Sequence, residues 1–173
     1  KRRKIMEVLV VVDLQNDFID GSLGNPGNDE IVKPIEELVE GFNGEVIFTR
    51  DTHHEDYLQT LEGKNLPIIH CQEGTEGWEI RIDTKEHKIF NKETFGSYDL
   101  VNYLVELNKK EGIDKVIFVG ICTDICVLSN ATLVKNALPN TPIDIIGSLC
   151  KGTSEDNHRT SLQAMESIQI NVK

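Results

Sequence analysis

The chain has 173 residues, of which 39% are hydrophobic and 27% charged, and its formal net charge is −11. An acidic excess of this size repels phosphate backbones and anionic lipid surfaces, so we expect neither nucleic acid nor membrane as a partner. No apolar run is long enough for a bilayer span or a signal-peptide core, and the sequence favours a cytoplasmic protein. We interpret the one basic run, residues 1–4, as a solvated chain end.

The predicted elements alternate between strands and helices along the chain. A nearly continuous apolar run predicts a strand over 6–13, and apolar residues at helical spacing predict a helix over 29–42. The same criteria predict strands over 44–51, 87–92, 114–121, 141–150 and 168–173, and helices over 97–112, 123–138 and 154–168. This alternation indicates one α/β domain over residues 1–173 with a parallel sheet.

Residues with reactive side chains follow four of the predicted strands. In open parallel sheets, ligands bind beyond the carboxyl ends of the strands. The polar segment 52–86 is too long for a simple connection, so we expect it to be functional as well. The side chains expected at this rim are Asp13, Asp51, His53, Lys92, Cys122 and Cys126.

Cys126 is the strongest candidate for a nucleophile. If Thr123 or Asp124 caps the following helix, Cys126 lies in its first turn, where the helix dipole favours a thiolate. Lone cysteines are often small buried hydrophobes, and Cys71 and Cys150 fit that description. Two cysteines alone lack the further soft ligands of a structural zinc site, and a disulfide does not suit a reducing compartment.

The general base is expected to be a carboxylate, because no histidine follows a strand near this turn. Asp13 interrupts a buried strand at the ligand-binding end of the sheet, and burial raises the pKa of a carboxyl toward the range of a useful base. Lys92 is placed to hold the resulting charges.

Three motifs resemble the isochorismatase-like cysteine hydrolases, specifically the nicotinamidase branch: "VVVDLQNDFIDGSLG", "FNKETFGS" and "GICTDICV". The resemblance implies a three-layer, Rossmann-like α/β fold with a mostly parallel central sheet and helices on both faces. It also implies a catalytic triad of Asp13, Lys92 and Cys126. A cis peptide between Ile121 and Cys122 is implied too, with the backbone N–H groups of Cys122 and Cys126 forming an oxyanion hole.

A metal site is predicted from a second set of residues. Asp51 and His53 form a D-x-H pair that is weak by itself, and mixed nitrogen and oxygen ligands suit Zn²⁺ or a similar divalent ion. The resemblance includes this pair and the later "HCQEGT", which adds His70. We expect Glu62 as a further ligand, with His54 as a weaker alternative.

The substrate pocket is expected to use aromatic side chains. Phe18 matches an aromatic pocket position of the family, and Trp78 and Tyr98 are further candidates, for which core packing is the alternative. Many nicotinamidases have an aromatic residue just before the ligand histidine, whereas this chain has "NLPIIH" there.

The resemblance implies an amidohydrolase that converts nicotinamide to nicotinate and ammonia, and a homo-oligomer. A related cysteine amidase acting on a carbamoyl or ureido compound without metal is the first alternative. A binding module that has lost its activity would not need all three triad residues. A redox protein using Cys122 and Cys126 would leave Asp13 and Lys92 unexplained.

Overall fold

The computed structural model describes residues 3–173, and its centre is a six-stranded sheet. The strands run in the spatial order β3-β2-β1-β4-β5-β6, and all five pairings are parallel. Their bounds are Glu7–Val12 (β1), Glu45–Asp51 (β2), Lys88–Lys92 (β3), Lys115–Ile121 (β4), Ile143–Lys151 (β5) and Asn171–Val172 (β6). The predicted parallel sheet is confirmed, although the last strand is shorter than its predicted range of 168–173.

Six α-helices surround this sheet within the described residues. They are Asn16–Ile19 (α1), Val32–Gly41 (α2), Leu61–Asn65 (α3), Tyr98–Glu111 (α4), Leu128–Ala137 (α5) and Glu155–Ser167 (α6). Short 3-10 turns cover Asn28–Ile31, Tyr57–Gln59 and Glu76–Trp78, and a π-helical turn covers Thr123–Val127. The predicted helix over 123–138 therefore begins as a wider turn and becomes α-helical only from Leu128.

Strand β1 shows why helices cover both faces of the sheet. Its side chains alternate between two separate cores, with Val10 in one and Leu9 in the other, and both are fully buried. The first core also receives Leu104 of α4, Val134 of α5 and Met165 of α6, whereas Phe18 of α1 and Ile35 of α2 pack in the second. Because each buried aliphatic side chain contributes about 1.5–3 kcal/mol, a strand with two apolar faces requires helices on both sides. The three-layer architecture is confirmed.

The segment 52–86 folds back against the ends of β1 and β2. Isolated bridges join His53 to Gln72 and Gln15 to Ile80. The Cys71 N–H donates to Asp17 Oδ2 at 2.7 Å, which ties the segment to α1. This segment therefore lies at the carboxyl edge of the sheet, where the rim residues were expected.

Part of the basic run at the start of the sequence is anchored. Arg3 forms an ion pair with Asp114 and donates to the Gly112 carbonyl, while its side chain stays 58% exposed, so this residue is solvated as well as anchored. Lys1 and Arg2 lie outside the described residues. Within residues 3–173, every helix is too short or too polar to cross a membrane.

Gly120 provides a test of how tightly β1 and β4 approach. Its φ is +126°, and a Cβ built there would lie 2.1 Å from the Val12 carbonyl oxygen. We expect Gly120→Ala to lower the free energy of unfolding by about 3 kcal/mol or more, because backbone strain and a steric clash add together. Urea denaturation measures the change.

Gly41→Ala is the matched control. Gly41 ends α2, and no atom lies within 4 Å of its added Cβ, so this variant should be neutral or up to about 1 kcal/mol more stable. Equal stability of the two variants would contradict the close approach at Gly120.

Candidate active site

Four strand ends bring one cluster of reactive side chains together. Asp13 follows β1, Asp51 and Lys92 end β2 and β3, and Cys126 lies in the turn after β4. Lys92 Nζ lies 2.7 Å from Asp13 Oδ2, 3.5 Å from Asp51 Oδ1 and 3.5 Å from Cys126 Sγ. All four residues are buried. The structure thus brings together the three residues predicted as a triad.

Asp13 is held in an unusual backbone conformation. Its φ is +46°, in the left-handed region, and its N–H donates to the Thr49 carbonyl at 3.1 Å. The Thr49 hydroxyl donates to Asp13 Oδ1 at 2.7 Å. Asp13 Oδ2 meets Lys92 as an ion pair but has no partner with hydrogen-bond angles. One carboxylate oxygen is therefore fixed, and the other has free capacity to accept a proton.

The charges in this cluster shift pKa values in different directions. Burial raises the pKa of the Asp13 carboxyl above its ordinary value, although the Lys92 ammonium acts in the opposite direction. Burial alone would lower the pKa of Lys92, but Asp13, Cys126 and Asp51 together raise it. Lys92 therefore remains a cation throughout the neutral pH range.

The turn that carries Cys126 differs from the prediction. Neither Thr123 nor Asp124 caps the helix: Thr123 Oγ1 lies 2.7 Å from His158 Nδ1, and the Asp124 carboxylate accepts hydrogen bonds from Thr153. Burial raises the pKa of the Cys126 thiol well above its ordinary value, although Lys92 opposes this. The predicted caps are therefore wrong, and burial rather than the helix end is the largest influence on the pKa of this thiol.

The backbone of this turn is otherwise as the resemblance implies. The Ile121–Cys122 peptide is cis, which confirms that prediction. The N–H groups of Ile125 and Val127 both donate to the Cys122 carbonyl at 3.1 Å. These bonds hold the turn in a compact shape around the Cys126 backbone.

A second cluster adjoins the first through Asp51. One ligand atom from each of Asp51, His53, Glu62 and His70 lies within 4.8 Å of all the others. Asp51 Oδ2 is 2.9 Å from His53 Nε2 and 3.4 Å from His70 Nε2, and Glu62 Oε1 is 3.6 and 3.8 Å from the same two nitrogens.

These separations fit a divalent metal ion. Ligand atoms about 2.1 Å from one ion in tetrahedral geometry lie about 3.4 Å from each other. His70 Nδ1 lies 2.8 Å from the Ile68 carbonyl oxygen, so Nδ1 is the protonated nitrogen and Nε2 is left to bind a metal. Burial raises the pKa of the Asp51 carboxyl, but its neighbours His53, His70 and Lys92 together outweigh burial and lower this pKa. His54, the weaker alternative, lies outside the cluster and pairs with Glu93 at 2.6 Å.

Three buried polar residues that the sequence analysis missed orient the cluster. Thr49 fixes Asp13, as described above. Gln15 accepts from the Asp51 N–H and donates to the Asp51 carbonyl, both at 2.8 Å. Asn130 donates to the Cys126 carbonyl at 2.8 Å and accepts from the Ser97 N–H at 2.9 Å. Gln15 lies within the quoted motif that contains Asp13, whereas Thr49 and Asn130 have polar neighbours in the sequence, so no local signal marks them.

A cavity of about 380 Å³, here called the inner cavity, opens onto Cys126 and the metal cluster. Phe18 lines it, together with Leu66, Phe95 and Ile125, which sequence analysis did not identify. Trp78 lies outside it: its indole donates to Thr52 Oγ1 at 2.9 Å and its ring packs under Arg50. Tyr98 also lies outside and is 69% exposed on the surface. The interpretation of Trp78 and Tyr98 as pocket residues is therefore wrong.

Comparison with known proteins agrees with this geometry. The isochorismatase domain family matches residues 7–172, so the chain belongs to the isochorismatase family. The chain is 29% identical to the nicotinamidase/pyrazinamidase of Mycobacterium tuberculosis, over 95% of this chain and 97% of that protein. It is 28% identical to the nicotinamidase of Saccharomyces cerevisiae, over 73% of this chain and 80% of that protein.

Solved structures give the same family context. The pyrazinamidase of Pyrococcus horikoshii in complex with zinc superimposes with a TM-score of 0.83 at 26% identity, covering 96% of this chain and 98% of that one. A nicotinamidase from Bacillus subtilis has a TM-score of 0.77 at 25% identity, covering 97% and 99%.

The composition of the metal cluster can be tested by two histidine substitutions. We expect His70→Asn to weaken divalent-metal binding by at least about 100-fold, because it removes one of four converging ligands. His54→Asn should bind metal as the parent does, since His54 lies outside the cluster. The metal content of each variant after dialysis is compared with that of the parent by elemental analysis. Circular dichroism checks that each variant is folded. Loss of metal from His54→Asn alone would contradict the assignment.

Proposed function

We propose that this protein is a metal-dependent nicotinamidase that hydrolyses nicotinamide to nicotinate and ammonia through a cysteine thioester. The observation that carries the proposal is the position of Lys92 Nζ, within 3.5 Å of both Asp13 and Cys126 and of the metal-cluster residue Asp51. The nicotinamidases among its relatives support the substrate. Cytoplasmic location and a homo-oligomeric state stay predictions.

The metal cluster is proposed to hold Zn²⁺, and the zinc complex of the Pyrococcus horikoshii pyrazinamidase supports this choice. Asp51, His53, Glu62 and His70 would hold the ion. When bound, it supplies a Lewis acid that anchors the ring nitrogen of the substrate beside the nucleophile. The cluster also distinguishes this proposal from a metal-free amidase for carbamoyl or ureido compounds.

The first half of the reaction forms the thioester. Asp13 takes the proton from the Cys126 thiol, and the sulfur attacks the amide carbonyl carbon. The negative charge on the carbonyl oxygen is stabilised by the backbone N–H groups of Cys122 and Cys126. As the C–N bond breaks, Asp13 returns its proton to the leaving nitrogen, which departs as ammonia.

The second half releases the acid. Asp13, again a carboxylate, takes a proton from a water molecule as its oxygen attacks the thioester carbonyl. The C–S bond then breaks, the proton on Asp13 restores the Cys126 thiol, and the acid leaves as nicotinate after releasing its own proton to solvent. Lys92 stays protonated in both halves, so it balances the charge on Asp13 or on the sulfur whenever either is ionised.

The nucleophile can be tested with a matched pair of cysteine variants. We expect Cys126→Ala to reduce ammonia release from nicotinamide by at least about 1,000-fold, because the attacking atom is gone. Cys122→Ala should retain activity within about tenfold of the parent, because only its backbone N–H takes part.

Both variants should give the circular dichroism spectrum of the parent. Parent-like activity in Cys126→Ala would rule out the mechanism. A loss in Cys122→Ala equal to that in Cys126→Ala would contradict the separate roles of the two thiols.

A further inference from the structure

A second cavity adjoins the inner one and extends away from the nucleophile. This outer cavity has a volume of about 680 Å³ and lies against the 3-10 turn Tyr57–Gln59 and helix α3. The two cavities share four lining residues, Glu62, Leu66, Phe95 and Ile125. Phe95 is 47% exposed and Leu66 36%, so surface side chains form part of this shared boundary. A substituent on a ligand at Cys126 would pass these side chains to reach the outer cavity.

The outer cavity is lined by carboxylates. Asp56, Glu62 and Glu93 contribute acidic groups, whereas no lysine or arginine of residues 3–173 lines either cavity. Glu62 belongs to the metal cluster, where a divalent ion would balance it together with Asp51. Asp56 and Glu93 are not part of the metal cluster, so their negative charges act on a ligand in the outer cavity.

The histidines near the outer cavity do not cancel its negative charge. His53 and His54 also line the outer cavity, but His53 belongs to the metal cluster. His54 is already engaged by two carboxylates, with Nε2 2.6 Å from Glu93 Oε1 and Nδ1 3.4 Å from Glu73 Oε2. Even a protonated His54 leaves the region negative overall, because it faces more than one carboxylate.

Apolar side chains line the rest of the path. Phe95, Leu66 and Ile125 form the shared boundary, and Tyr57 and Leu61 line the outer cavity alone. Leu61 is 76% exposed, so its side chain is available to contact a ligand in the outer cavity. An occupant that matches this lining has an apolar stem and a positive end.

We infer that the outer cavity is a second substrate subsite, which accepts an amide whose ring bears a cationic substituent and rejects one bearing an anionic substituent. The inference rests on the proposed function, because it places the amide carbonyl at Cys126. It extends that function by defining which substituted pyridine carboxamides the enzyme turns over. The selecting groups are Asp56 and Glu93.

The test compares three ring-substituted nicotinamides, bearing an aminomethyl, an ethyl or a carboxylate group para or meta to the carboxamide. We expect kcat/KM for the better aminomethyl isomer to exceed that of its ethyl counterpart by about 3- to 10-fold, since two partly exposed carboxylates act on it. The carboxylate compound should fall at least about 10-fold below the ethyl compound. High salt should reduce both ratios, because exposed charges are screened.

Charge-neutralising variants link the selectivity to the named residues. In the double variant Asp56→Asn, Glu93→Gln, the aminomethyl-to-ethyl ratio should fall to within about twofold of unity. Glu86→Gln is the matched control, because Glu86 is exposed but lines neither cavity, and its ratio should equal that of the parent. An unchanged ratio in the double variant would overturn the assignment of Asp56 and Glu93.

The remaining outcomes separate this inference from the proposed function. Turnover of nicotinamide with rejection of all three substituted compounds would show that the outer cavity is closed in solution, which overturns the subsite alone. If nicotinamide itself is not hydrolysed, the proposed function fails. The subsite is then decided by how well the three amides protect Cys126 from iodoacetamide: stronger protection by the aminomethyl compound supports it, and equal protection by all three overturns it.

Discussion

The buried ammonium of Lys92 is the interaction on which the rest of this site depends. A lysine that is 5% exposed at the end of the edge strand β3 is stable as a cation only if opposite charges replace its lost hydration. Asp13 and Asp51 supply them from the two strands on one side of it in the sheet, β1 and β2. Removing either carboxylate would leave the buried Lys92 ammonium poorly compensated. The nucleophile and the metal cluster therefore both depend on the charge balance around Lys92.

This shared cation also separates the roles of the two carboxylates. Burial raises the pKa of Asp13, whose Oδ2 lacks a well-aligned hydrogen bond, and such a carboxyl is suited to accepting and returning a proton. Burial raises the pKa of Asp51, but its neighbours His53, His70 and Lys92 outweigh burial and lower it, and a carboxylate that stays ionised is suited to binding an ion. Two aspartates at adjacent strand ends thereby acquire different chemistry from their surroundings.

Much of the fold was predictable from the sequence, and the reasons are physical. The apolar runs of β1 and β4 are covered on both faces, and that pattern predicts a parallel sheet. The rule for ligand sites in such sheets then placed Asp13, Lys92 and Cys126 at one rim, where the structure brings them together. The residues of the segment 52–86 were harder to place, since its course depends on bridges to β1 and β2 and on contacts with α1 that periodicity does not encode.

The errors in the site have a common cause. Trp78 and Tyr98 were chosen by residue type, but the direction of a side chain depends on tertiary packing, which turns Trp78 under Arg50 and Tyr98 outward. Thr123 and Asp124 have the composition of helix caps, yet their side chains bond to His158 and Thr153 across the fold. The orienting residues Gln15 and Asn130 have polar neighbours in the sequence, so composition does not mark them, and their partners Asp51 and Ser97 lie far away along the chain.

The measurement that tests this account most directly is ammonia release from nicotinamide by the purified protein, before and after a chelator removes bound metal. The account predicts release by the metal-loaded protein, loss of release after chelation, and recovery when a divalent ion is returned. Release that is unaffected by chelation would contradict the role given to the metal cluster. Absence of release from metal-loaded protein would contradict the central claim that Asp13, Lys92 and Cys126 form a nicotinamidase site.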